Sequence, residues 1–179
     1  MITVQQEKDD DALLQDDDTL LERIFDTLAS RVNADPYAWD GAYAMQIREL
    51  PRGLRAMAAT HDLVVSLSKG GFCSYFRHCG EPNHVQETEI GLRELELAEF
   101  AKLFSEAYKI ILPHLDEIRA RGDGVDSLQR EGALGRIAEL TREAVQMNAA
   151  GGERMSGSAI YAAWIRYARK HHQRVFPVE

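Results

Sequence analysis

The sequence of 179 residues has only two cysteines and five prolines, and it has no long uninterrupted apolar run. Two cysteines are too few for the disulfide framework of a small secreted domain. No stretch approaches the roughly 18 apolar residues that a membrane-spanning helix needs. The first ten residues lack a basic segment followed by an apolar one, so we expect no signal peptide. These absences predict a cytoplasmic protein with no membrane contact.

Catalytic motifs are missing as well. The chain has no Gly-x-Ser-x-Gly elbow, no phosphate-cradling glycine loop and no His-Glu-x-x-His pair. Glu81-Pro-Asn-His84 spells the Glu-x-x-His of helical di-iron proteins, but such a site needs a second pair and two further glutamates. We therefore expect no catalytic residues, no enzymatic activity and no cofactor.

Basic residues are scarce in the first forty positions, which carry eleven acidic and three basic side chains. This excess equals the whole formal net charge of −8, so residues 41–179 are balanced. Because phosphate contacts need Lys or Arg, direct binding of nucleic acid by this segment is disfavoured. Two interpretations stay open, a solvated and poorly ordered tail or an anionic surface for a basic partner. The candidate partner-binding acids are Asp9, Asp10, Asp11, Asp16, Asp17, Asp18 and Glu22.

Apolar residues recur at helical spacing from Leu20 almost to the end of the chain. Val64 to Leu67 alone is typical of a strand, but no partner strand is visible, so we predict a helix there. The pattern predicts an all-α fold of about eight helices, without internal repeats. Residues 1–16 are expected to form an acidic tail, and residues 17–179 a single compact domain.

Two helix starts carry explicit signals. The first helix is expected to begin at the second aspartate triplet, capped by Asp18 or by Thr19 with Glu22. Asp35-Pro36 combines a capping side chain with a proline at the first helical position, which predicts the start of the second helix.

A glycine corner, defined as residues 68–80, interrupts this pattern. Adjacent Gly70 and Gly71 allow a close approach or a backbone conformation that a Cβ atom would forbid. Phe72, Tyr75 and Phe76 follow at spacings of three and four residues, on one face of a short helix. We expect this corner to bury three rings where two helices meet, as an architectural feature without chemistry of its own.

Cys73, His78, Cys79 and His84 lie within twelve residues, but the spacing Cys-x4-His-Cys-x4-His matches no common zinc pattern. We therefore expect no metal site. A helix over residues 72–78 would place the two cysteine Cα atoms about 9 Å apart, beyond the ~7 Å limit for a disulfide.

Two further polar features have ordinary explanations. His61 lies on the apolar side of its helix and is expected to be a hydrogen-bonded core residue. The basic end of the chain is expected to be a solvated helix face, with a weak anion patch or a docking surface for the acidic tail as alternatives. Its residues are Arg166, Arg169, Lys170, His171, His172 and Arg174.

The glycine corner resembles a bacterial family, the DNA-mimic protein C-terminal domain, long catalogued as a domain of unknown function. The resemblance covers roughly residues 37–176. Residues 89–112 are similar to the helix pair that follows the corner, and residues 160–171 are similar to the final helix. The family motif residues are Gly70, Gly71, Phe72, Tyr75, Phe76 and Gly80.

The resemblance implies an all-α, non-enzymatic and homodimeric protein whose acidic surface imitates DNA phosphates and occupies a DNA-binding protein. We accordingly predict a protein-interaction module that inhibits or regulates a basic protein partner. One alternative is an immunity or antitoxin-like inhibitor of a toxin, which would bind through a shaped surface. Another is a small-molecule-binding or enzymatic helical domain with a pocket near His61, Tyr75 and His78.

Overall fold

The computed structural model describes residues 16–121, 132–149 and 157–176, which form nine α-helices and no strand. The predicted all-α class is therefore confirmed. The helices are α1 (Asp17–Arg31), α2 (Ala42–Arg48), α3 (Arg52–Lys69), α4 (Gly71–Cys79), α5 (Pro82–Glu94), α6 (Ala98–Ile111), α7 (Leu115–Arg121), α8 (Ala133–Ala149) and α9 (Ala159–Lys170). In these ranges, no helix is long and apolar enough to cross a membrane.

Helix α3 is the centre of the molecule. Twelve of its 18 residues are buried, because the helix packs most extensively on α5 and α4 and is also contacted by α8, α9, α2 and α1. The segment from Val64 to Leu67 lies inside this helix, as the sequence predicts. The buried Thr60 hydroxyl accepts a hydrogen bond of 2.9 Å from the indole of Trp164, which fixes α9 against α3.

The two glycines of the corner lie where α3 ends and α4 begins. Gly71 has φ +70°, and a Cβ atom there would lie 2.0 Å from Cγ2 of Thr141 on α8. The backbone of α4 therefore contacts α8 directly, and the Phe72 amide donates a 3.3 Å hydrogen bond to the Thr141 hydroxyl. This close approach requires glycine on two grounds, backbone conformation and space.

The rings that follow the glycines are fully buried. Phe72, Tyr75 and Phe76 pack around Phe104 of α6, with ring centroids 5.2–6.2 Å from it. Aromatic pairs at such distances add to the stabilisation from buried area alone. The motif residues therefore build the core that holds α4 on α6.

The first helix begins within the second aspartate triplet, as predicted, but its cap is Asp16 and not Asp18 or Thr19. The second helix begins at Ala42, not at Asp35-Pro36, because Gly41 has φ +78° and the indole of Trp39 donates to the carbonyl of His78, 2.9 Å away. The sequence also favours a turn at Gly80-Glu81-Pro82-Asn83, but Pro82 is the first residue of α5 and Glu81 caps that helix. The sequence predicts a loop at Gly122-Asp123-Gly124 and a helix cap from Asp126 with Gln129, and these residues lie outside the described ranges.

Candidate functional site

The first turn of α1 collects three of the predicted partner-binding acids. Asp16 caps the helix: its Oδ1 accepts from the amides of Asp18 and Thr19, both at 3.1 Å, and its Oδ2 accepts from the Thr19 hydroxyl at 2.7 Å. The hydrogen bonds from Thr19 hold the pKa of Asp16 below its usual value. Asp17 and Asp18 occupy the first helical turn, where the helix dipole favours negative charge.

An acidic face, defined as Asp18, Glu22 and Asp26, runs along the solvent side of α1. The three residues are exposed and recur every fourth position, so successive carboxylates are about 6 Å apart along the helix axis. Glu22 and Asp26 form no ion pair with a residue that the structure describes. The opposite side of α1 is held in the core by Leu20, Leu21 and Ile24.

Helix α1 is also fixed to the basic end of the chain. Asp17 forms a 2.8 Å ion pair with Arg169 of α9, and the guanidinium of Arg23 lies 4.3 Å from the centroid of the Phe176 ring. One acid of the first turn is therefore already neutralised within the chain. The predicted acids Asp9, Asp10 and Asp11 lie outside the described residues.

Away from α1, many acids are balanced by arginine or lysine. Glu94 pairs with Arg52, Glu96 with Lys170, and Glu106 with Arg136. Among the described residues, the acids that lack an ion pair include Asp35 and Asp40, directly after α1, whose carboxylates cap the amides of Tyr37 and Ala42. A set called the isolated exposed acids consists of Glu49 directly after α2, Glu99 on α6 and Glu143 on α8.

The residues proposed from sequence for a small-molecule pocket do not converge. The Tyr75 hydroxyl is buried against Thr88 at 2.7 Å, whereas His78 is exposed and its Nδ1 lies 2.8 Å from the carbonyl of Ser74. His61 lines a separate open cavity of about 350 Å³ between α1 and α3, with Phe25, Tyr43 and Asp62 among the lining residues. Its Nδ1 lies 3.0 Å from the Tyr161 hydroxyl, and burial lowers the His61 pKa.

The structure divides the four cysteine and histidine residues of the sequence cluster. Cys73 is half-buried and His78 is exposed, whereas Cys79 and His84 are buried and lie next to Asp62 of α3. Both thiols are free. Sequence reasoning missed Asp62, although an acid among the apolar residues of α3 was a visible signal.

Burial governs the protonation of this inner cluster. It raises the pKa of Asp62 to about 6, partly offset by a hydrogen bond from the Tyr37 hydroxyl. It lowers the pKa of His84 to about 4, against the opposing charges of Glu81 and Glu87. It also raises the pKa of the Cys79 thiol, an effect that the Asp62 charge increases. Burial therefore favours the uncharged form of all three groups.

Comparison with protein families gives one match. The family described as DMP19-like protein matches residues 48–171, which include the glycine corner and helices α3 to α9 but not the acidic face of α1. Comparison with curated proteins and with solved structures gave no significant match.

Proposed function

The chain belongs to the family of DMP19-like proteins, which are DNA-mimic proteins, and we propose on this premise that it regulates a basic protein partner. The partner of this proposal is a DNA-binding protein whose DNA site the acidic surface occupies. The family is generally non-enzymatic, and the proposed role requires binding alone.

The acidic face of α1 is the observation that carries the proposal. Its three carboxylates are exposed and follow one line on the helix, beside Asp16 and Asp17 in the first turn. A cationic groove that binds DNA is shaped to accept a row of negative charges, since each strand of a duplex presents one per ~3.4 Å of axis. The α1 row is sparser, at about 6 Å per charge, and the N-terminal acids Asp9, Asp10 and Asp11 add to it in the sequence.

The other described surfaces offer less for such a partner. Their acids are frequently paired with arginine or lysine, and residues 41–179 are balanced in charge. The proposed interface therefore centres on the N-terminal acids and on α1. The family match covers the scaffold that carries α1, and the acids themselves precede the matched residues.

Two charge-matched variants test the proposal. The first replaces the acidic face: Asp18→Asn, Glu22→Gln and Asp26→Asn. The control replaces the isolated exposed acids: Glu49→Gln, Glu99→Gln and Glu143→Gln. Both remove three negative charges, so a nonspecific charge effect would change binding equally in the two.

The binding partner is first captured from the source cell at low salt, identified by mass spectrometry and purified. Affinity and association rate are then measured at low and physiological salt. We expect the acidic-face variant to bind more weakly, chiefly through slower association, with a loss that shrinks as salt rises. The control should bind nearly as the wild type does.

Additional replacement of Asp9, Asp10, Asp11 and Asp16 by asparagine should enlarge the loss, while Asp17 is kept because it pairs with Arg169. Asparagine caps helices about as well as aspartate, so the change at Asp16 should affect stability little. Unchanged affinity at low salt would refute the mimic proposal. It would favour the immunity-type alternative, in which a few buried aromatic or arginine anchors dominate binding.

A further inference from the structure

Helices α3, α4 and α5 bring together one carboxylate, one thiol and one imidazole in the interior. Asp62, Cys79 and His84 are at most 4% exposed, and their ligand-type atoms all lie within 4.8 Å of one another. Nε2 of His84 is 3.9 Å from Oδ2 of Asp62. The three residues come from three different helices, so their convergence is a product of the fold and not of local spacing.

Several polar atoms of this cluster lack a hydrogen-bond partner among the residues that the structure describes. They are Oδ2 of Asp62 and both ring nitrogens of His84, all of them buried. A buried polar atom in this condition loses its hydration without compensation, so proteins rarely leave several together. The nearby Glu81 carboxylate already has other hydrogen-bond partners. It accepts from the His84 amide and from the Asn83 side chain, both at 2.8 Å.

We propose that Asp62, Cys79 and His84 form a mononuclear zinc site with one coordination position left for water or a small ligand. Thiolate sulfur, imidazole nitrogen and carboxylate oxygen are the three donor types that proteins offer to Zn²⁺. The sulfur donor disfavours Mg²⁺ and Ca²⁺, which select oxygen ligands. This inference does not depend on the proposed partner binding.

The cluster is close to the required geometry. Tetrahedral zinc at its usual ligand distances of ~2.0–2.3 Å separates the ligand atoms by roughly 3.3–3.7 Å. The observed separations, up to 4.8 Å, require the side chains to close by about 1 Å, within reach of small side-chain rotations. As the Zn–S bond forms, the thiol proton leaves to solvent.

The surroundings of Asp62 support its role as a zinc ligand. The Tyr37 hydroxyl donates to Oδ1 of Asp62 across 3.4 Å and so orients the carboxylate from outside, as outer partners of metal ligands commonly do. Asp62 also lines the open cavity of about 350 Å³ beside α1, which gives an ion a route to the carboxylate.

The sequence alone predicts no metal site, because the spacing of four residues matches no common zinc motif. These residues are Cys73, His78, Cys79 and His84. The proposed site keeps only Cys79 and His84 and takes its third ligand from α3, seventeen positions before Cys79 in the chain.

The test uses the full chain, reduced and stripped with a chelator, then titrated with ZnCl₂ by calorimetry and with CoCl₂ by absorption. The ligand variants are Cys79→Ser, His84→Gln and Asp62→Asn. Two matched controls come from α4 itself, Cys73→Ser and His78→Gln, which alter the same residue types outside the cluster. Circular dichroism verifies that each variant is helical.

We expect one zinc per wild-type chain and unchanged affinity in both controls. Each ligand variant should lose at least the roughly 10–100-fold in affinity that loss of an outer partner of a ligand costs. Cobalt should give a thiolate-to-metal charge-transfer band in the wild type and in Cys73→Ser, and none in Cys79→Ser. A wild type that binds less than one zinc, or whose cobalt form lacks this band, overturns the proposal even if the ligand variants do not fold. Equal zinc affinity in Cys73→Ser and Cys79→Ser overturns it as well.

Discussion

At the scale of single residues, Gly71 is the most constrained position of the corner. Its φ of +70° is unfavourable for any residue with a Cβ atom, and the Thr141 side chain fills the space where that atom would lie. Gly135 on α8 is the opposite case, because a Cβ atom there would meet no atom of the described residues within 4 Å. The two glycines therefore make a matched pair for substitution.

We predict that Gly71→Val lowers the free energy of unfolding by at least ~2 kcal/mol. Gly135→Ala should be neutral or stabilising by up to ~1 kcal/mol, since alanine favours a helix interior. Chemical denaturation monitored by circular dichroism measures both changes. A Gly71→Val protein with wild-type stability would show that the close approach of α4 to α8 is not required.

The sequence identifies Gly71 but not Asp62, and the reason is physical. Gly71 interrupts a helical pattern and precedes three aromatic residues, so its local context is informative. Asp62 is a candidate metal ligand only because it lies beside Cys79 and His84, which belong to two other helices. Such convergence depends on helix packing, which residue spacing along one helix does not specify.

At the scale of helices, Glu87 joins three of them. Its Oε1 accepts a 2.7 Å hydrogen bond from Arg48 of α2, and its Oε2 accepts one of 2.6 Å from Arg55 of α3. Glu87 itself is 2% exposed, while the two arginine side chains are about one-third exposed. This arrangement satisfies both carboxylate oxygens in the interior and links α2, α3 and α5.

We predict that Glu87→Gln lowers the free energy of unfolding by roughly 1–3 kcal/mol at pH 7, because a charge-assisted buried hydrogen bond is lost. Glu99→Gln, at an exposed acid of α6 that pairs with no residue the structure describes, should change it by less than ~0.5 kcal/mol. Denaturant titration of the two variants beside the wild type measures both. Equal effects would mean that the hydrogen bonds of Glu87 with Arg48 and Arg55 do not stabilise the fold.

The pKa of Glu87 predicts how the stability difference between the wild type and Glu87→Gln depends on pH. Burial raises the pKa of Glu87, but the hydrogen bonds and charges of Arg55 and Arg48 outweigh it and hold the pKa below 4.5. The stabilisation is therefore complete above about pH 4.5 and is lost as the pH falls through the folded-state pKa. The stability gap between wild type and Glu87→Gln should stay constant from pH 7 to pH 5 and narrow below that range. A gap that widens on acidification would contradict the assignment.

The start of α1 gives a prediction about the acidic segment. Removal of residues 1–15 should leave the helix content intact, because the apolar stripe begins at Leu20 and Asp16 supplies the cap. Removal of Asp16 as well should cost about 0.5–2 kcal/mol. Circular dichroism and thermal unfolding of both truncations test this. A loss of helicity in the shorter truncation would show that the segment before Asp16 supports the fold.

Helix type and order follow from the sequence more reliably than helix starts do. Long amphipathic stripes, such as the one in α6, predict their helices because the core requires a continuous apolar face. The start of α2 is different, because the chain before it has positive φ at Trp39 and Gly41, and the Trp39 indole donates to the carbonyl of His78 on α4. The Asp35 carboxylate accepts from the amide of Tyr37, but no helix follows there.

At the scale of the whole molecule, the distribution of charge decides the proposed function. The sequence locates the acidic excess in the first forty residues. It does not show that Asp17 is paired with Arg169, or that Asp26 extends the acidic face, because both depend on how α1 is placed in the fold. The homodimer implied by the family resemblance stays a prediction, which sedimentation analysis would test.

The central claim is that the protein and duplex DNA compete for one site on the partner. The most direct measurement is the fluorescence anisotropy of labelled duplex DNA bound to the purified partner, while the wild-type protein is titrated in. We predict complete displacement of the DNA, with the curve shifted to higher concentration for the acidic-face variant and unchanged for the variant of the isolated exposed acids. DNA that stays bound at saturating protein, as a ternary complex, would contradict the claim.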